Sequence, residues 1–188
     1  FKVRGNVRKG PLTVGYTGYG GSSHIGPELQ FGHGMGNFFA EPVLLIQTAC
    51  GGKSLYDDFR PPSSGGEVGS YYTQMIQEVR EALTALGDRA YEIRGFVWMQ
   101  GWNDMCTEAA IPEFEQNLVN LITDVRAALK SPGLPVVIGE LGNGGEKAAP
   151  NMLAIRKAQK QAAERLEKTR FVETHDHARP AELSPNRT

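Results

Sequence analysis

Residues 94–104 read Arg-Gly-Phe-Val-Trp-Met-Gln-Gly-Trp-Asn-Asp, and this stretch decides the fold. Four apolar residues, 96–99, are followed at once by the polar groups of Gln100, Asn103 and Asp104. A short apolar run of this kind is typical of a buried strand, and open α/β sheets carry their chemistry at the carboxyl ends of such strands. The stretch therefore predicts a strand that delivers polar side chains to a functional edge.

Strand and helix patterns alternate on both sides of this strand. Apolar runs typical of buried strands occupy 42–48, 134–139 and 171–174. Apolar residues at helical spacing occupy 29–39, 71–86, 112–130 and 151–167, while 1–21 is glycine-rich and hairpin-like. Strands joined by helical crossovers run parallel, so the sequence predicts one α/β domain over 1–188 with a parallel sheet of four strands.

Parallel strands end at one edge of their sheet, so the segments 51–53, 100–104, 140–143 and 175–176 are expected to gather there. His175-Asp176-His177 resembles a base beside an orienting carboxylate in composition, but neighbours on a strand point to opposite faces, which favours a solvated strand end. Ser22, Ser23 and Ser54 lie near this edge in the predicted topology. Ser54 is interpreted as a turn or cap residue, because no Gly-x-Ser-x-Gly elbow is present.

The charge balance narrows the class of partner. With 20 basic and 21 acidic residues the formal net charge is −1, which gives no footprint for nucleic acid or an anionic membrane surface. No apolar run approaches the roughly 20 residues that span a bilayer. Cys50 and Cys106 are expected to be packed, free thiols. A flavin or nucleotide binder is disfavoured, because no glycine-rich phosphate loop follows a first strand.

Gly101-Trp102-Asn103-Asp104 has the pattern Gly-x-Asn-Asp at a strand end. A carboxamide N–H₂ there can donate to a developing oxyanion, and the backbone amide of Gly51 can supply a second donor. The alternative is that Asn103 and Asp104 only close a turn, which is common for these residue types.

Three quoted blocks carry a family resemblance: 26–28 (Gly-Pro-Glu), 49–55 (Ala-Cys-Gly-Gly-Lys-Ser-Leu) and 98–104 (Trp-Met-Gln-Gly-Trp-Asn-Asp). Together they resemble the carbohydrate-acetylesterase branch of the SGNH hydrolases, the sialate O-acetylesterase-like domain. The resemblance implies a three-layer α/β/α sandwich with a flavodoxin-like sheet, and a serine esterase that removes O-acetyl groups from carbohydrate through an acyl-enzyme. It implies no cofactor and no metal, and it suggests a secreted or periplasmic location.

Residue by residue, the resemblance matches Gly51 to the glycine block and Asn103 to the asparagine block of the oxyanion hole. Gln100 matches the branch pattern Trp-x-Gln-Gly and is the alternative donor. Glu28 is expected to border the substrate, or else to be a first-turn acid at a helix start. Lys53 is expected to pair with Asp57 or Asp58, and the alternative is that it binds an anionic sugar. Trp102 is expected to contact the substrate.

Two blocks of the family pattern do not occur in 1–188: a Gly-Gln-Ser-Asn-Met-like block with the nucleophile, and a later block with the catalytic histidine. The expectation is therefore that the chain is truncated at both ends and is inactive alone. The alternative function is a non-catalytic fragment or a glycan-binding module of the same fold.

Overall fold

A computed structural model describes residues 2–3, 6–7, 9–16 and 24–177 of the chain. The chain forms two compact units. The first contains Phe1–Gly52 and Gln77–Asp88, and the second contains Lys53–Ile76 and Arg89–Thr188. None of the described helices is long and apolar enough to cross a membrane.

The first unit begins with a short antiparallel pair, β1 (Lys2–Val3) and β2 (Asn6–Val7), which agrees with the predicted hairpin-like start. Helix α1 (Pro27–Phe38) follows, with Pro27 at its first position, where the missing N–H costs no hydrogen bond. The prediction that this helix buries an apolar face is wrong, because none of its residues is buried. Glycines at 32, 34 and 36 leave little side chain to pack.

The run at 42–48 was predicted as the first strand of the parallel sheet, and this prediction is wrong. These residues have no regular secondary structure, and Val43 and Leu44 are exposed. A strand exists through hydrogen bonds to a neighbour, and this run pairs with no strand in the described part of the chain. Apolar, β-branched composition alone was therefore insufficient.

Helix α2 (Ser70–Thr84) begins in the second unit, where Tyr72, Met75 and Ile76 are buried. The parallel sheet lies in the second unit and contains β3 (Phe96–Trp98), β4 (Val136–Gly139) and β5 (Thr169–Val172), in that order. Trp98 is in register with Ile138, which is in register with Phe171. The predicted α/β fold with a parallel sheet is confirmed, with three strands instead of four.

Three helices connect or follow these strands: the single turn α3 (Trp102–Met105), then α4 (Phe114–Ala128) and α5 (Pro150–Arg165). Helices α4 and α5 pack against each other, and α5 packs against β4 and β5. Their inward residues fill the core at the spacing that the sequence predicts. The fully buried members of this core include Leu118, Leu121, Ile122, Ile138, Ile155 and Ala162.

Arg126 of α4 fixes the amino ends of two strands. Its guanidinium donates to the carbonyl oxygen of Leu134 at 2.9 and 3.1 Å and to that of Glu167 at 2.7 Å. Both carbonyls lie just before β4 and β5, so one buried cation sets where the two strands start. The sheet whose carboxyl ends carry the polar segments is therefore fixed at the amino ends of β4 and β5.

Candidate active site

Polar segments gather at the carboxyl ends of β3, β4 and β5 in the second unit. The amide of Gln159, on α5, donates to the carbonyl oxygens of Gln100 and Gly139 at 3.1 and 3.2 Å. Glu140 in turn accepts backbone hydrogen bonds from Thr174 and His175. The predicted meeting of the segments 100–104, 140–143 and 175–176 at one edge is thus observed.

The buried carboxylate of Asp104 anchors the segment 94–104. Asp104 is 1% exposed, and its carboxylate accepts the backbone N–H groups of Leu55 (2.9 and 3.1 Å) and Tyr56 (2.9 Å). Gln100 Nε2 donates to the same carboxylate at 2.5 Å. Burial raises the pKa of the Asp104 carboxyl, against the hydrogen bonds from Gln100, Leu55 and Tyr56, which favour the ionised form. Asp104 therefore closes a long-range contact in addition to any role in its own turn.

Gln100 uses its amide nitrogen inside this contact. Nε2 donates both to Asp104 and to the carbonyl oxygen of Lys53, at 2.9 Å, so its two hydrogens are engaged. A reversed amide would place Oε1 against two acceptors, which fixes the orientation. Both Nε2 hydrogens of Gln100 are therefore committed within the protein.

Asn103 lies on α3 immediately after the sharp turn at Gly101. Gly101 has φ +154°, and a Cβ there would lie 2.8 Å from Ile155 Cγ2, so a side chain at this position would be strained and would clash. The Asn103 side chain is half-buried, and its backbone carbonyl accepts the N–H of Cys106 at 3.2 Å. The donor candidate thus lies at the carboxyl end of β3, as the sequence predicts.

Two candidate residues lie in the first unit. Gly51 is an exposed residue of a backbone turn, and the next residue, Gly52, has φ +74°, which glycine adopts without strain. Glu28 is the acidic residue in the first turn of α1, where its charge complements the helix dipole. Glu28 Oε1 is buried and has no hydrogen-bond partner among the described residues.

Lys53 and Trp102 have different environments. The Lys53 ammonium pairs with Asp58 at 3.0 Å and lies 4.4 Å from the centre of the Tyr71 ring. The hydrogen bond to Asp58 raises the pKa of Lys53, so the cation is already neutralised by a protein partner. Trp102 is 50% exposed and presents a large part of its indole to solvent.

The Glu140–His175 pair is a feature that sequence reasoning missed. Glu140 is buried, and its Oε2 lies 2.7 Å from His175 Nδ1, while the His175 side chain is 30% exposed. Burial alone would raise the pKa of Glu140, but the hydrogen bonds from Thr174 and His175 outweigh it and hold that pKa below its ordinary value. The hydrogen bond between the His175 ring and Glu140 also raises the pKa of His175. The predicted solvated strand end is therefore wrong for His175, while His177 is exposed.

Arg156, on α5, organises the loop after β4. Its guanidinium donates to the carbonyl oxygens of Leu141 (2.7 Å), Asn143 (2.8 Å) and Gly145 (2.8 Å). Its Nε also lies 3.8 Å from Glu140 Oε1. The sequence carried one signal for this role: Arg156 and Gln159 lie three residues apart on α5 and face inward. The regular spacing of the apolar residues on α5 obscured this signal.

Ser54 is a turn residue, one of the two roles predicted for it. It is 8% exposed, and its hydroxyl accepts the N–H of Asp57 at 3.1 Å and donates to Asp58 at 3.2 Å. Ser22 and Ser23, the other serines considered near the edge, lie outside the described residues. Cys50 and Cys106 are free thiols, and Cys106 is exposed instead of packed.

Comparisons with known proteins identify the family and the fold of the chain. A family model described as "Carbohydrate esterase, sialic acid-specific acetylesterase" matches residues 7–183. The X-ray structure of an Arabidopsis thaliana protein at 1.6 Å resolution has the same fold, with a TM-score of 0.64 and 22% identity over 86% of this chain. The chain spans 59% of the length of that protein. No curated protein gives a significant match. The family match covers most of the sequence, and the chain therefore belongs to the sialic acid-specific acetylesterase family of carbohydrate esterases.

Proposed function

We propose that the protein is a serine esterase that removes O-acetyl groups from a carbohydrate through an acyl-enzyme. The family match over residues 7–183 supports a carbohydrate esterase in general. The observation that carries the finer proposal is the turn with Asn103 at the carboxyl end of β3, where parallel α/β sheets carry their chemistry.

In the proposed reaction a serine hydroxyl attacks the acetyl carbonyl carbon, and a histidine accepts the hydroxyl proton and passes it to the departing sugar oxygen. Water then attacks the acyl-enzyme and releases acetate. Each attack places negative charge on the former carbonyl oxygen. Asn103 is assigned to donate its side-chain N–H to that oxygen, and the backbone N–H of Gly51 is assigned as a second donor on the sequence pattern.

Trp102, Lys53 and Glu28 have different proposed roles at the substrate. The exposed indole of Trp102 lies beside Asn103 on α3 and offers an apolar face to a sugar ring. Lys53 is held by Asp58, so its contribution is to the shape of the loop more than to an anionic group of the sugar. Glu28 retains a buried carboxylate oxygen for a hydroxyl donor.

The assignment of Asn103 predicts the kinetics of Asn103→Ala in the full-length protein. Loss of one oxyanion donor lowers kcat by about 10²–10³ with little change in ground-state binding. The measurement is acetate release from an O-acetylated sialoside, with a chromogenic acetate ester as a second substrate.

The matched control is Asn37→Ala, which removes the carboxamide of an exposed asparagine on α1 and should retain the wild-type kcat. An Asn103→Ala enzyme within about threefold of wild type would remove Asn103 from the oxyanion hole. A full-length wild type that releases no acetate from either ester would contradict the proposed function itself.

A further inference from the structure

We infer that Asp104 is a positioning residue for the esterase reaction, because its buried carboxylate fixes Asn103 by tying α3 to the backbone of Leu55 and Tyr56. The inference rests on the proposed function, in which Asn103 is the donor to the oxyanion. It gives Asp104, the last residue of the segment 94–104, a role distinct from that of Asn103.

Helix α3 cannot hold Asn103 in place by itself. It has four residues, and its hydrogen bonds are those of a single turn, such as Met105 N–H to the carbonyl of Gly101 at 3.1 Å. A single helical turn in isolation is unfavourable, since it fixes several dihedral angles for very few hydrogen bonds. The direction of the Asn103 carboxamide therefore depends on what anchors α3 from outside.

Asp104 supplies the strongest of these anchors. Its carboxylate accepts hydrogen bonds from two backbone N–H groups and from Gln100, and at 1% exposure water has no access to replace them. Hydrogen bonds to an ionised acceptor are about twice as strong as neutral ones. Asn151 Nδ2 also donates to the Met105 carbonyl, at 3.2 Å, but that contact is exposed.

The segment that contains Leu55 and Tyr56 is itself held by internal hydrogen bonds. The Phe59 N–H donates to the Ser54 carbonyl at 2.9 Å, and the Ser54 N–H donates to the Asp58 carboxylate at 2.9 Å. Leu55 is fully buried in the core of the second unit. Helix α3 is therefore attached to a rigid base and not to a loop that could follow its movements.

The direction of Asn103 follows from helical geometry. Successive side chains on a helix project about 100° apart, so a carboxylate directed into the protein interior at 104 sets the direction of the carboxamide at 103. The Asn103 side chain is half-buried and the neighbouring Asp104 is fully buried, which agrees with these different directions. A rotation of α3 would move the donor by an ångström or more, and such a displacement costs about 10²-fold in rate.

The decisive experiment is Asp104→Asn in the full-length protein, alone and combined with Asn103→Ala. The amide nearly preserves shape but replaces one accepting oxygen by an N–H₂ group, which opposes the donors that reach that oxygen, so the anchor is weakened. We expect kcat on an acetyl ester to fall about 10²-fold, with KM changed less than about threefold. Because Asp104 acts through Asn103, the double variant should be no more than about threefold slower than Asn103→Ala. Additive losses would overturn the inference.

A second variant and a control guard against a trivial loss of structure. Gln100→Leu removes one donor to the same carboxylate, and it should lower kcat several-fold and show the same lack of additivity with Asn103→Ala. Asp124→Asn removes an exposed carboxylate that accepts the Ser63 N–H at 2.9 Å, and it should retain the wild-type kcat. Additivity of Gln100→Leu with Asn103→Ala would overturn the inference.

Amide hydrogen exchange provides a readout that is independent of activity. In Asp104→Asn the amides of Leu55 and Tyr56 should exchange faster than in wild type, while those of the Asp124→Asn protein should not change. Unchanged exchange at Leu55 and Tyr56 would overturn the inference. Loss of activity in Asn103→Ala together with a wild-type rate in Asp104→Asn would overturn it and leave the proposed function intact, whereas an inactive wild type would overturn both.

Discussion

Gln159 shows how a single buried amide shapes the candidate site. It is fully buried on α5, donates to the carbonyl oxygens of Gln100 and Gly139, and accepts the Leu141 N–H at 3.0 Å. Those three backbone groups belong to the ends of β3 and β4, where neither strand continues its ladder. One side chain thus satisfies the hydrogen bonds that the end of the sheet leaves open.

Gln159→Leu is predicted to destabilise the full-length protein by about 3 kcal/mol. Leucine has a similar size but leaves buried polar groups without a partner, at about 1–3 kcal/mol each and less than additively. Chemical denaturation measures the free energy of unfolding. The control is Gln161→Leu, at a half-buried position of the same helix, which should change stability by less than about 0.5 kcal/mol. Equal effects of the two variants would contradict the assignment.

The residue scale also shows where sequence reasoning was insufficient. The topology of a parallel sheet placed Glu140 and His175 at the same edge, and both lie there. Their contact spans 35 residues of sequence, so it depends on how far β4 and β5 extend and on the 3₁₀ turn His175–His177, neither of which periodicity defines. The sequence pattern argues against the neighbouring Asp176 as a partner for His175, and the structure provides Glu140.

Among the elements, helices were predicted better than strands. The predicted helices at 71–86, 112–130 and 151–167 correspond to α2, α4 and α5 within a few residues, because helical periodicity is a property of the segment itself. The run at 42–48 has strand composition but no strand partner among the described residues. A strand is defined by its neighbour, and its neighbour is not encoded in its own residues.

Helix α5 carries the second stability prediction through Arg156, whose guanidinium holds three carbonyl oxygens of the loop after β4. Arg156→Met leaves those carbonyls and the nearby Glu140 without their cation, and it should cost about 3 kcal/mol in the free energy of unfolding. The amides of residues 141–145 should also exchange faster with solvent. Denaturant titration and hydrogen exchange measure the two effects.

Arg165→Met on the same helix is the matched control. Arg165 forms an ion pair with Glu115 at 2.8 Å, but its side chain is 44% exposed, and exposed ion pairs contribute about 0–1 kcal/mol. The control should therefore change stability by less than about 1 kcal/mol. If Arg156→Met were equally mild, the guanidinium would not be what holds the loop.

At the scale of the whole molecule, the sequence was sufficient for the class of fold and for the edge of the sheet that carries polar groups. Both follow from the order of elements, since parallel strands share their carboxyl edge. The contacts that build the edge, made by Asp104, Glu140, Arg156 and Gln159, join segments distant in sequence. Such buried polar contacts depend on tertiary placement and leave no periodic signal in the chain.

The Glu140–His175 pair makes the stability of the whole protein depend on pH. The pKa of Glu140 is lowered in the folded state, so its contribution is present above the unfolded value near 4.5 and is lost as pH falls through the folded value. The pKa of His175 is raised, so its contribution is present below the unfolded value near 6.5 and is lost as pH rises through the folded value. The pair therefore stabilises the fold most between these two unfolded values.

His175→Gln in the full-length protein tests this window. The difference in free energy of unfolding between wild type and variant should be largest between about pH 4.5 and 6.5 and should decrease on either side. In a Glu140→Gln background the same substitution should give a difference that varies much less with pH, because the principal charged partner is gone and only Arg156 and Glu173 still act on the imidazole. His33→Gln, at an exposed position of α1, is the control. A difference that is flat with pH in the wild-type background would show that the imidazole is held for its shape, with its charge contributing nothing to the fold.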